Sequence, residues 1–209
     1  MKLAILSESP ADAAAIRILV DALLGEQTER MAFPLLFPPG WPAVLDVLPN
    51  VLKHLHYRTN ADSLVVVVDS DNSPVHERAH DEPDGALDLC KVCLLRTAIT
   101  QTQMRLQPIA GRLPVKTAIG LAVPAIEAWY LCGTDPQATE AALTQRLGAT
   151  LREIKLQLKR AVYMTARPPL AMATARAVQE ATRLTQNLNL LEQLFPNGFG
   201  SLARDVRKW

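Results

Sequence analysis

The chain has 209 residues, 49% of them hydrophobic, and 22 Lys/Arg against 21 Asp/Glu give a net charge of +1. That composition supports a sizeable buried core and argues against a disordered chain. No apolar run reaches the roughly eighteen residues of a transmembrane helix, Leu3 to Leu6 is too short for a signal-peptide core, and Cys90, Cys93 and Cys132 form no disulfide framework, so a cytoplasmic protein without membrane contact is expected.

In chain order, Leu3 to Ser7 is strand-like, and Pro10 opens a helix over Ala11 to Leu24 in which Ile16, Leu19, Val20 and Leu23 recur at helical spacing. Met31 to Phe37 reads as a second short strand, closed by Pro38-Pro39-Gly40, and Trp41 to Tyr57 as a second helix. Leu64 and four consecutive valines then run into Asp69-Ser70-Asp71, a β-branched run of the kind buried on both faces of a parallel sheet. Ser73 to Gly85 is a polar loop, Ala86 to Leu106 a long helix and Lys116 to Val123 a fourth strand, after which Pro124 suits the first turn of a helix through Ala125 to Leu131. Strand and helix in alternation predict an α/β fold with parallel strands.

Beyond Gly133 only helices are expected: Asp135 to Leu147, Leu151 to Tyr163, Leu170 to Leu184 and a last segment from Leu188 to Trp209, with breaks at Gly148, Pro168-Pro169 and Pro196-Asn197-Gly198. The chain therefore divides into an α/β domain over 1–133 and an all-helical extension over 134–209, packed on it because its apolar faces require a partner. Charge is also segregated, with 12 Lys/Arg and 17 Asp/Glu in residues 1–149 against 10 and 4 in residues 150–209. A basic part facing phosphates is one reading, and ordinary segregation in a soluble protein is the other. Arg152, Lys155 and Lys159 share one face of a helix, either as a cationic stripe or as a solvated face.

Four acids fall at the carboxyl side of the predicted sheet. Glu8 follows the first strand, Asp69 and Asp71 end the third, and Glu127 opens the helix after the fourth. Asp69 and Asp71, two apart on a strand, are expected to point the same way, where open α/β sheets bind ligands. Convergent carboxylates of this kind suit Mg²⁺ or Mn²⁺ beside a phosphate. For Glu8 the plainer reading is a polar residue at a helix entry, and for Glu127 a carboxylate complementing a helix N-terminus.

These residues carry a resemblance. Ala4-Ile5-Leu6-Ser7-Glu8-Ser9-Pro10-Ala11-Asp12 resembles the opening strand and turn of TOPRIM domains, including the Glu-Ser-Pro-Ala stretch of type IA topoisomerases, and residues 65–71 resemble the TOPRIM Asp-x-Asp strand. Val123 to Leu131, around Glu127, resembles the helix start after the last core strand of OLD-type (overcoming lysogenization defect) nucleases and of small bacterial TOPRIM-like proteins. The resemblance covers roughly the first 133 residues and implies a Rossmannoid, four-stranded parallel sheet flanked by helices. It also implies Mg²⁺ or Mn²⁺ held by Glu8, Asp69, Asp71 and Glu127, with Glu8 doubling as acid/base and a basic residue nearby, for which Lys155 and Lys159 are the candidates.

The implied activity is phosphodiester hydrolysis on nucleic acid, DNA in preference to RNA, in a defence or DNA-processing system. Ser73 stands where topoisomerases carry a further acid, and the topoisomerase gate domains are missing, so that activity is not expected. There is no P-loop, so an ATPase motor would be a partner chain. Oligomeric state is left open.

Two other classes compete. One is a non-catalytic TOPRIM-like binding or regulatory subunit. The other is a haloacid dehalogenase-like phosphatase with Asp69 as nucleophile, against which the third-strand position of the motif counts; Asp-x-Asp is also shared with manganese-dependent glycosyltransferases. Finally, His76, His80, Cys90 and Cys93 read H-x3-H and C-x2-C, spacings that zinc accepts. Placed inside an apolar helix with Leu87, Leu94 and Ala98, the cysteines are expected to act as small hydrophobes instead. His54 and His56 are expected at the surface.

Overall fold

The computed structural model describes residues 1–82, 84–146 and 150–209. Among them, β1 (Lys2–Leu6), β2 (Glu29–Met31), β3 (Ser63–Asp69) and β4 (Lys116–Ala122) form one all-parallel sheet in the order β2-β1-β3-β4. The valine run makes β3 a central strand, in register with β1 from Leu3↔Ser63 to Leu6↔Val66 and with β4 from Ser63↔Lys116 to Asp69↔Ala122.

Alternate side chains of a strand face opposite sides, and here both sides are covered. Leu64, Val66 and Val68 pack under α2 (Trp41–Arg58) and α3 (Lys91–Met104). Val65 and Val67 pack under α1 (Pro10–Leu24), together with α6 (Leu151–Tyr163), α7 (Leu170–Leu184) and α9 (Phe199–Val206). The C-terminal helices are thus one layer of the core: Trp129 meets Phe199 edge-on, with ring centroids 5.4 Å apart. No helix among the described residues is long and apolar enough to cross a membrane.

Local chemistry sets the ends of these elements. Ser9 caps α1, its hydroxyl accepting from the Asp12 N–H, and Pro10 occupies the first turn, where no N–H is needed. Glu140, on α5 (Glu140–Arg146), caps the turn between α8 (Leu188–Leu194) and α9 by accepting from the backbone N–H groups of Asn197 and Gly198 and from the Asn197 amide. A Cβ on Gly198 would lie 2.3 Å from the Leu121 carbonyl oxygen, so only glycine fits where this turn meets β4.

Several expected boundaries move. The second strand is Glu29–Met31, which shares only Met31 with the expected Met31 to Phe37, because Pro34 has no N–H to donate and Pro34–Leu36 turns into a 3-10 helix. The third helix begins at Lys91, not Ala86: residues before it form a turn closed by Cys90 N–H to Leu87 carbonyl, and Ser73 Oγ accepts from the Lys91 N–H. Pro124 follows a cis peptide and precedes α4 (Glu127–Tyr130), so it is not in that helix's first turn. The helix expected from Asp135 starts only at Glu140; its expected end at Leu147 and the break at Gly148 lie outside the described residues. The last segment is two helices, parted at Pro196-Asn197-Gly198.

Candidate active site

The carboxyl ends of β1, β3 and β4 open into a cleft of about 470 Å³ whose walls include Glu8, Asp12, Asp69 and Glu127, with Lys159, Tyr163 and Arg167 facing them from the helical layer. Glu8 leaves β1 and accepts the Asp69 N–H through Oε1 at 3.3 Å. Asp69 is the last residue of β3. Its Oδ1 accepts the Ile126 N–H at 3.1 Å, and its Oδ2 lies 2.9 Å from the Lys155 ammonium. Both oxygens of the residue weighed as a phosphatase nucleophile are therefore engaged.

Asp71 stands apart from the cleft wall. The strand ends at Asp69, and Asp71 sits in the following turn at φ 50, a left-handed conformation that aspartate tolerates better than most residues. The i, i+2 argument for a shared side therefore does not apply. What joins the two aspartates is lysine: Lys155 Nζ donates to Asp71 Oδ1 at 2.7 Å as well as facing Asp69, and Lys91 Nζ donates to Asp71 Oδ2 and to the Asp69 carbonyl, each at 2.7 Å. Burial opposes ionisation of Asp71, but the hydrogen bonds from Lys155 and Lys91 hold its carboxyl below the usual range. Burial also opposes the charge on Lys155, and Asp69 and Asp71 outweigh it, raising that ammonium above its ordinary value.

The other carboxyls are pushed the opposite way. Desolvation, then repulsion from Asp69, raises Glu8. The same two causes take Asp12 to about 8 and Glu127 to about 7, with Lys159 and Lys155 partly offsetting the latter. The buried Tyr130 hydroxyl, without a hydrogen-bond partner, is raised first by its own burial and then by Asp12. The cleft thus gathers carboxyl groups at its base, three of them pushed toward the neutral form, and positive charge on its helical wall.

Of the expected site residues, Glu8, Asp69, Glu127 and Lys159 line the cleft, and Asp71 joins through Lys155. Arg152 of the expected stripe is exposed, Lys155 pairs with carboxylates, and Lys159 lines the cleft, so that face divides between solvent and the site. Among the described residues, no three of the carboxylates Glu8, Asp69, Asp71 and Glu127 bring oxygens within 4.8 Å of one another. Among the described residues, the group of metal-ligating types whose donor atoms all lie within 4.8 Å of one another is His76, His80, Cys90 and Cys93. Both cysteines are buried, but only Cys93 lies inside α3; Cys90 is at its N-terminal boundary, and α3 starts where the loop carrying the histidines folds back. His56 is also not at the surface; it is buried, with Nε2 2.8 Å from the Gln107 carbonyl oxygen.

Two site residues carried weak signals. Asp12 lies one helical turn beyond Glu8 within the Glu-Ser-Pro-Ala-Asp stretch, and its spacing was the available clue. Lys91 is buried under the Trp41 ring, with Nζ 5.0 Å from the centroid, a contact between distant segments that no local pattern announces. No protein-family model, curated protein or solved structure matches the chain.

Proposed function

We propose that this chain is a TOPRIM-like, divalent-metal-dependent phosphodiesterase acting on nucleic acid, DNA in preference to RNA, of the OLD nuclease type. One observation carries the reading: a cleft at the carboxyl edge of a parallel sheet faces Glu8, Asp12, Asp69 and Glu127 toward cationic side chains of the helical layer. The donor chemistry suits a hard cation, since every group offers carboxylate oxygen, and a cation would offset the burial and the repulsion from Asp69 that raise Asp12 and Glu127. Glu8, Asp69, Asp71 and Glu127 would hold Mg²⁺ or Mn²⁺. When bound, such an ion polarises a phosphoryl oxygen and acidifies water.

The chain's own groups supply the rest. Glu8, raised above the ordinary carboxylate range by burial and then by Asp69, is suited to take up and return a proton. Lys159 and Arg167 offer positive charge to a phosphate in the cleft. Lys155, at Asp69 Oδ2 and Asp71 Oδ1, adds positive charge beside the same carboxylates. An ATPase, where one is used, would be a second chain.

In plasmid nicking with Mg²⁺ or Mn²⁺, Glu8→Ala and Asp69→Ala are expected to lose at least about 100-fold in rate while keeping the circular-dichroism spectrum of the parent. Equal nicking by parent and both variants sinks the reading. A binding or regulatory subunit is the second reading, favoured by Lys155 already neutralising Asp69 and Asp71. Tight DNA binding by the parent, with no turnover in any divalent metal, would establish it.

A further inference from the structure

Residues 70–90, between β3 and α3, hold the 3-10 turn Arg78–Asp81 as their one regular element among the described residues. A segment this long without strands or helices needs something to hold it. His76 and Cys90 are buried within it, and Cys93 is buried in the first turn of α3. From the convergence of these three with His80 we propose a structural Zn²⁺ site, Cys2His2, that staples the β3–α3 loop to the start of α3. It stands apart from the nuclease reading, whose carboxylates take no part in it.

The distances point to a shared centre. His76 Nδ1 lies 3.5 Å from Cys90 Sγ and 3.5 Å from Cys93 Sγ. A ring nitrogen has one lone pair or one hydrogen, so it can satisfy one of these sulfurs as a hydrogen-bond partner, not both. With Zn–S near 2.3 Å and Zn–N near 2.0–2.1 Å, a tetrahedral site places its nitrogen and sulfur ligands about 3.6 Å apart. Donor atoms of all four residues lie within 4.8 Å of one another. His80 supplies a separate sign of a missing partner, because its Nδ1 is buried and makes no hydrogen bond. Two thiolates and two neutral imidazoles also balance a dication, leaving no net charge to bury.

The surroundings match. A zinc-bound histidine ordinarily gives its other ring N–H to a carboxylate. His76 Nε2 lies 3.1 Å from Asp81 Oδ1, within reach to donate to it, and Arg96 grips the same carboxylate; Arg96 Nη1, 2.8 Å from Nε2, can only donate and so has to turn from Nε2 to the carboxylate when Nε2 carries the proton. Four protein ligands leave no open position, which assigns the ion a structural role. Its place in the chain gives that role a target: Lys91, between the two cysteines, is the residue that holds Asp71 and the Asp69 carbonyl.

The test is metal content of the full-length protein, measured after dialysis against a weak chelator. One zinc per chain is expected, retained in Cys132→Ser and Asp69→Asn and lost in Cys90→Ser/Cys93→Ser. Asp81→Ala should keep the stoichiometry but weaken zinc about 10–100-fold in chelator competition, a change that packing alone would not produce. Cobalt in the parent should give the intense visible bands and thiolate charge transfer of a tetrahedral sulfur site. Zinc added back to metal-free parent should raise its melting temperature, a readout that stands even where the double variant fails to fold. A folded parent that takes up no zinc, zinc retained by the double variant, or the weak bands of six-coordinate cobalt would overturn the proposal.

Discussion

Asp12 sits one helical turn from Glu8 at the base of the cleft, and its carboxyl at about 8, with Glu127 at about 7, makes the site's proton balance measurable. In an unfolded chain both groups ionise near pH 4. Between that point and their folded values the native state binds more protons than the unfolded state, so stability falls as pH rises. Asp71 and His76 have the opposite sign, but Asp71, being lowered, titrates below this window, and His76, lowered from 6.5, opposes the trend only in its lower part. In the presence of chelator the melting temperature should therefore drop between pH 5 and pH 8, on the order of 5 °C, and Asp12→Asn should flatten the slope. A melting temperature that is level or rising over that range would show that burial does not raise these carboxyls.

Among the elements, the turn between α8 and α9 is the tightest join between the helical layer and the sheet. Glu140 satisfies its backbone donors, and Gly198 lets it approach the Leu121 carbonyl of β4. Gly198→Ala places a methyl group against backbone that has no room to yield and should cost about 1–3 kcal/mol, read by chemical denaturation. Unchanged stability would mean that the turn can lift away from the strand. The position was legible as a break, from Pro196-Asn197-Gly198, but its contact partner was not, because β4 is far away in the chain.

For the whole molecule, the apolar faces of α6, α7 and α9 and the Val65 and Val67 side of the sheet belong to one core. A chain ending at Gly133 would leave Leu3, Ile5, Val65 and Val67 without that cover. It is expected to aggregate or to lose near-ultraviolet circular dichroism and bind hydrophobic dye. A soluble fragment with cooperative unfolding would show that the first 133 residues form a core of their own. The same layer carries Lys155 and Lys159, so cover for the sheet and positive charge for the cleft come from the same helix.

From the residues alone one can read what depends on local periodicity: four parallel strands alternating with helices, a helical C-terminal part, and acids at the carboxyl ends of three strands. Those features survive because strand and helix repeats are written into neighbouring positions. What the tertiary structure decided depends on residues distant in the chain. It set Lys155 and Lys91 between Asp69 and Asp71, moved Asp71 into a left-handed turn, added Asp12 to the cleft, and gathered His76 and His80 onto Cys90 and Cys93. Charge compensation and metal-ligand geometry act through space, and no spacing along the chain encodes which distant side chain will arrive.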